Sequence, residues 1–397
     1  MIEERRRDYS LIGPSAEQAA AMGLVAAQWY HSEVPRKRMK QLMRRSDGPA
    51  VRDTALWLTL LVAAGVAGGL TWGGWWCVPC FLIYGVLYGS ASDSRWHETG
   101  HGTAFATSWA NDVVYQLASF MNLKEPTFWR WSHARHHTDT IIVGRDREIA
   151  AMRPPDVARL LLNLAGLRDV LDTAVSVARH AAGRVTAEEA TFIPESERHR
   201  VYREARAWLA VYAAVIALAI ITGSLLPLMY VGLPSLYGRW LATLFGVSQH
   251  AGLAENVLDH RLNARTIRMN PVFRFLYWNM NFHVEHHMFP MVPYHALPAL
   301  HAEIAADLPE PYPSLLAAYR EILPTLRRQM REPGHHVVRR LPAGARPFRP
   351  EMHDAVFSAS PPAPAQAPDP ALLPPRAPAR ASTDPASDAP ARARAQA

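Results

Sequence analysis

Two long stretches of this chain carry almost no charge, and the polar residues that interrupt them set the architecture. The first covers residues 54–92. A helix that crosses a bilayer needs ~20 apolar residues, so this run suits two crossings, with Thr71, Gly73 and Gly74 at the turn. The second covers residues 207–238 and resumes after Arg239 as far as Ala254, with Gly223, Pro227, Gly232 and Pro234 near its middle. It reads as a second hairpin. Buried helices of a soluble core rarely run this far without a charge. The pattern therefore predicts an all-α integral membrane protein with four transmembrane helices in two hairpins.

Between and beyond the hairpins the pattern changes. Residues 111–123 are apolar but too short to cross, and are expected to lie along the membrane. Residues 138–206 are charged and helix-prone, and residues 157–180 alternate in the way of an interfacial amphipathic helix. From residue 341 onward hydrophobic periodicity is lost and Pro and Ala come to dominate, which predicts a disordered tail over 341–397. The expected organisation is a basic segment over 1–50, a membrane domain over 51–330 and that tail.

Charge gives the first hairpin its direction. The chain has 42 Lys and Arg against 35 Asp and Glu, a net +7. Much of the excess precedes the first apolar run, at Arg5 to Arg7 and at Arg36, Lys37, Arg38, Lys40, Arg44 and Arg45. Basic residues stay on the cytoplasmic side, so the N-terminus is expected there, facing anionic lipid rather than nucleic acid. The opening residues are charged, and no signal peptide is expected. Two hairpins each return to the side they left, which puts both termini and everything between the hairpins in the cytoplasm as a helical cap. Trp29 and Tyr30 suit the interface. The only cysteines, Cys77 and Cys80, read as ordinary apolar residues.

The cap sequences carry the candidate chemistry. His97 and His101 stand at i and i+4 in HETGH; His133, His136 and His137 stand at i, i+3 and i+4 in WSHARHH; His283, His286 and His287 repeat that spacing in NFHVEHH. Such steps return to one face of a helix, so each cluster can aim its imidazoles at one point. Eight histidines exceed the three or four protein ligands of a single zinc site, and two metal ions fit better. Imidazole suits iron, copper, nickel and zinc alike. A closed structural zinc site would draw on cysteine, absent near the clusters, whereas an all-imidazole site at a membrane surface leaves room for an exogenous ligand. If the metal is iron, that is oxygen chemistry on an apolar substrate. HETGH also matches the HExxH motif of zinc proteases, a reading that leaves both HxxHH clusters unused. A histidine-rich metal carrier would need ionisable residues along the spans, where Arg239 stands nearly alone.

Glu98 and Glu285 lie inside the clusters, where each could accept the second N–H of a ligating imidazole. Trp96, Trp129 and Trp131 flank candidate ligands and could wall an apolar channel. His31, His180, His199, His335, His336 and His353 fall outside the clusters and read as solvated, while His295 and His301 read as supports for the third.

These three boxes, in this order, resemble the membrane fatty acid desaturase and hydroxylase superfamily over roughly residues 50–305. The likeness is most marked in WNMNFHVEHHMFPMVPYHALPALH. HETGHGTAF and DHRLNARTIRMNP are similar to the branch with the rhizobitoxine desaturase and the rhizopine-catabolism oxygenase. The resemblance implies two non-haem irons, O2 as co-substrate and an external electron donor, with His97, His101, His133, His136, His137, His283, His286 and His287 as ligands. It adds His250, at the end of the fourth span, as a ninth; His260 is a poorer candidate. It implies a desaturase acting on unactivated C–H bonds of an acyl lipid or related apolar chain. The same ligands would serve a hydroxylase, and the branch raises a small amino-acid-derived substrate. No cysteine set for an iron–sulfur cluster, no GxGxxG fingerprint and no haem domain is recognisable, so ferredoxin and a reductase are the expected donor. Arg130, Arg135, Arg145, Arg147, Arg261, Arg265 and Arg268 are the expected docking surface.

Overall fold

A computed structural model describes residues 7–345 and Phe348. The chain divides into Met1–Val356 and Phe357–Ala397; the second unit, and nearly all of the tail expected from residue 341, lie outside the described residues. Among those described the fold is helical, with two isolated bridges and no strand.

Two helical stretches, Arg36–Leu70 and Glu195–Thr222, are long and apolar enough to cross a membrane. Only 28% and 17% of their apolar windows are buried, so most of their apolar side chains face outward, as lipid-facing helices do and core helices do not. In the first, α1 (Asp47–Leu70) exposes Leu56, Leu60, Val62 and Val66. It packs through Gly65 and Gly68 on Tyr84 and Phe81 of α2 (Cys77–Gly85), where a Cβ on Gly68 would stand 2.9 Å from the Phe81 ring. The α2 helix runs on through a π turn, Val86–Ser90, into α3 (Ala91–Gly100). A π turn breaks the normal ladder, and side-chain bonds tie it to its neighbours. Trp57 Nε1 donates to the Leu87 carbonyl at 2.8 Å, and Ser90 Oγ donates to the Gly238 carbonyl at 2.5 Å while accepting the Ala242 N–H at 3.0 Å.

The stretch expected as the return leg of the second hairpin is not one helix. It is broken into Leu226–Tyr230, Pro234–Tyr237 and Trp240–His250, because Pro227 and Pro234 lack the N–H a helix interior requires. The break has a use. Gly238 meets Gly85 backbone to backbone, with a Cβ on Gly238 falling 1.9 Å from the Gly85 oxygen. Gly85 and Gly89 form a small-xxx-small face on which the two legs approach closely.

Between the hairpins lie α4 (Ser108–Met121), α5 (Pro126–Thr138), α6 (Val157–Leu164) and α7 (Leu167–Ala181), followed by α8 (Glu195–Thr222). The expected amphipathic segment is the α6–α7 pair, which exposes Leu161, Leu162, Leu171 and Val175. Arg239, expected to be nearly alone, bonds Asp169 at 3.0 Å and the Asn122 side chain at 2.7 Å, tying α7 to the start of α9 (Trp240–His250). His180 is not solvated. It is fully buried, with Nδ1 2.9 Å from both Glu125 oxygens and Nε2 3.3 Å from Glu189. Trp29 is buried too, stacked on His260 at 4.3 Å, so residues 29–30 pack against protein rather than at an interface.

Candidate metal centre

Each histidine box sits where a helix starts or stops. His97 lies in the last turn of α3 and His101 caps it. Two α3 side chains fasten that helix to the approach to the third box: Arg95 donates to the Leu276 and Phe275 carbonyls at 2.7 and 3.0 Å, and Ser94 Oγ donates to Leu276 at 2.9 Å. The second box fills the C-terminal half of α5, which Pro126 opens with its fixed φ. The third occupies α10 (His283–Met288). It follows a left-handed turn at Trp278 and Asn279, which Trp278 secures by stacking on Tyr294 at 4.3 Å. His250 closes α9.

The structure brings all nine predicted histidines together, in two groups. His97, His101, His133, His137 and His286 form one and His136, His250, His283 and His287 the other, with the facing atoms of each group within 4.8 Å of one another. The two HxxHH boxes are shared in opposite senses. The second gives its i, i+4 pair to the first group and its i+3 histidine to the second; the third does the reverse. His260 stays outside both.

The donor set suits a metal ion in each group. Nε2 of His97 is 2.7 Å from that of His286, His137 is 3.2 Å from both His286 and His133, and His283 is 2.9 Å from His250 and 3.0 Å from His287. Nitrogens ~2.1 Å from one ion and at right angles to each other lie about 3 Å apart. Burial, followed by the neighbouring imidazoles, holds His97, His101, His137, His283, His286 and His287 well below the usual histidine range. Neutral rings keep the lone pair a metal needs. His101 Nε2 is buried with no hydrogen-bond partner.

The outer partners are not those expected. Glu98 is fully buried but accepts Thr103 Oγ1 at 2.7 Å and the Tyr294 N–H at 3.0 Å rather than an imidazole N–H, and burial pushes its carboxyl up to about 7. Glu285 accepts Thr266 Oγ1 at 2.6 Å and pairs with His301. His301 therefore does support the third box, through Glu285. The box imidazoles turn instead to Asp146, 2.8 Å from His136 Nδ1, and Glu148, 3.0 Å from His133 Nδ1. His250 Nδ1 donates to the Asn263 carbonyl at 2.7 Å, and His287 Nδ1 to Thr140 Oγ1 at 3.3 Å. The only sequence signal for the acids was their spacing, ten and fifteen residues beyond the histidines they hold.

A cavity of about 360 Å³ opens onto His97, His133, His136, His250 and His283, with Trp96 and Trp129 in its wall. Trp131 is exposed and takes no part. Of the arginines expected on a docking surface, Arg261 and Arg265 are fully buried in ion pairs, with Asp259 and Asp307 and with Glu321. Arg130 and Arg268 are exposed.

Residues 73–319, which span all of these boxes, match the family described as fatty acid desaturase. The chain belongs to the fatty acid desaturase family. It is similar to the acyl-lipid omega-3 desaturase (cytochrome b5), endoplasmic reticulum, of Arabidopsis thaliana, with 24% identity over 313 residues that cover 74% of this chain and 78% of the relative. As a member it is an oxidoreductase of the desaturase type, from a membrane-associated family whose reaction takes a lipid substrate and an electron donor. The HExxH protease reading has no support in the site, since it leaves both HxxHH boxes unused although His133, His137 and His286 from them share a group with His97 and His101.

Proposed function

We propose that this desaturase is a di-iron enzyme that uses O2 to remove hydrogen from an unactivated C–H bond of an acyl lipid or related apolar chain. The observation that carries the reading is the division of nine imidazoles into facing groups of five and four. His97, His101, His133, His137 and His286 would hold one iron and His136, His250, His283 and His287 the other. Iron bound there would supply the reductive activation of O2 and the abstraction of hydrogen. The chain's own residues do the rest. Asp146, Glu148, Thr140 and the Asn263 carbonyl fix ring orientation, as outer partners do in metal sites. Trp96 and Trp129 give the cavity a hydrophobic wall beside His97 and His133.

The same reading has both hairpins crossing the bilayer, with α2 and the π turn after it as the second leg and the broken segment ending in α9 as the fourth. Residues 51–330 are then the catalytic domain, and both termini and all boxes are cytoplasmic. Forming one double bond from O2 consumes two electrons besides those of the C–H bonds, and ferredoxin with its reductase is the proposed source, steered by exposed basic residues such as Arg130 and Arg268. The test is incubation of iron-loaded protein with saturated and monounsaturated acyl lipids under labelled oxygen. A product lighter by two hydrogens and free of label is expected; label in the product would make the enzyme a hydroxylase, and no lipid turnover with any donor would refute the reading.

A further inference from the structure

The cavity beside the histidines is not the plain apolar tunnel that a hydrocarbon chain alone would require. Five cations and five carboxylates contribute to its wall: Lys124, Arg147, Arg153, Arg159 and Arg239 with Asp93, Glu148, Asp156, Asp169 and Glu255. Four of the cations are committed. Lys124 pairs with Asp93 at 2.9 Å, Arg239 with Asp169 at 3.0 Å, Arg153 with Glu255 at 3.3 Å and Arg159 with Asp172 at 3.3 Å.

Arg147 is different. Among the described residues no carboxylate forms an ion pair with it, and its guanidinium lies over the rings of Phe128 and Trp129 at 4.5 and 5.2 Å. The other side of this corner is Lys124, whose Nζ is 3.5 Å from the Trp96 ring centre and 5.1 Å from that of Trp129. An arginine held by aromatic faces is pre-organised, so it loses less freedom when it binds an oxyanion in its planar fork. Arg147 is itself exposed and lines the same cavity as His97 and His133. The next residue, Glu148, is the one that holds His133.

We propose that Arg147 binds an acidic group of the substrate, a carboxylate or phosphate, and so fixes which C–H bond faces the histidines. This rests on the oxygen-dependent desaturase reading and adds to it the substrate's polar end. The reacting carbon then lies near that acidic group rather than at the far end of a long chain. The group belongs either to a free acid or phosphate ester, or to a lipid headgroup reaching in from the interface.

The test is binding without turnover, by calorimetry on the full-length iron-loaded protein in detergent, free of oxygen and reductant. The probes are octanoate, octyl phosphate and octanamide. The two anions should bind about tenfold more tightly than the amide, the scale of one charge-assisted hydrogen bond. Arg147→Gln should abolish that advantage while leaving octanamide binding unchanged, and Arg147→Lys should restore part of it. Equal affinity for all three probes, or an advantage that survives Arg147→Gln, would overturn the proposal. Tighter binding of octyl phosphate than of dioleoyl phosphatidate in mixed micelles would assign the group to a free molecule, and the reverse to a headgroup; both support the anchor. The iron content of the same sample tests the di-iron reading separately.

Discussion

His97 Nε2 lies 2.7 Å from His286 Nε2, although 189 residues separate them in the chain. The contact depends on side chains flanking both boxes. Arg95 and Ser94 hold the Phe275 and Leu276 carbonyls just ahead of the third box, and Glu98 accepts the Tyr294 N–H just after it. The first box is thus clamped to the third on both sides, and the cluster is a property of the tertiary fold rather than of any one helix.

The outer acids give the first prediction. Glu148→Gln or Asp146→Asn removes an anionic acceptor behind His133 or His136 without removing a ligand, and changes of this kind weaken metal binding by about 10–100-fold. Competition with a graded chelator should reveal that loss with the fold intact. Unchanged iron retention in both variants would mean that these acids do not orient ligands.

Packing gives the second. Alanine at Gly238 would put its Cβ 1.9 Å from the Gly85 oxygen, and overpacking of this kind costs about 1–3 kcal/mol. Gly238→Ala should lower the unfolding temperature in detergent clearly. Gly246→Ala, where a Cβ meets open space, should not.

A third concerns pH. Burial disfavours the His180 imidazolium, but the hydrogen bonds it donates to Glu125 and Glu189 outweigh that and raise the group to about 9. An unfolded histidine titrates near 6.5, so the native state binds the extra proton. The contribution to stability is complete below about pH 6.5 and is lost as pH rises through 9. Thermal unfolding should show stability falling over that window, and His180→Gln should be less stable and flatter in pH. A wild-type profile level between 6.5 and 9 would refute the assignment.

What the sequence revealed and what it hid divide along a physical line. Apolar runs and i, i+3, i+4 histidine spacing are local, and from them the long outward-facing helices and eight of the nine clustered imidazoles were legible; the ninth, His250, came from the family resemblance. The sharing of each HxxHH box between two groups depends on how α3, α5, α9 and α10 meet, which local spacing does not encode. Arg265 looked like surface charge because its partner Glu321 lies 56 residues away, and Arg261 because its second partner, Asp307, lies 46 residues beyond it. The broken return leg was hinted at by Pro227 and Pro234, but the Gly85–Gly238 contact that makes it useful was not. Asp146 and Glu148 were passed over for Glu98 and Glu285, which sit nearer in sequence and point elsewhere.

The fourth prediction follows from that correction to the arginines. Exposed charges steer a partner by long-range attraction that salt screens. Arg130→Glu with Arg268→Glu should slow ferredoxin-supported turnover and flatten its salt dependence, while sparing turnover driven by a small chemical reductant. Equal loss with both donors would show damage to the site rather than to docking.

The central claim is two irons, one per histidine group, and metal stoichiometry tests it most directly. Elemental analysis of active, full-length protein should give two irons per chain, falling to one or fewer in His101→Ala and likewise in His250→Ala, since each removes a ligand from a different group. Active protein that holds a single iron, or stoichiometric zinc with no iron, would contradict it.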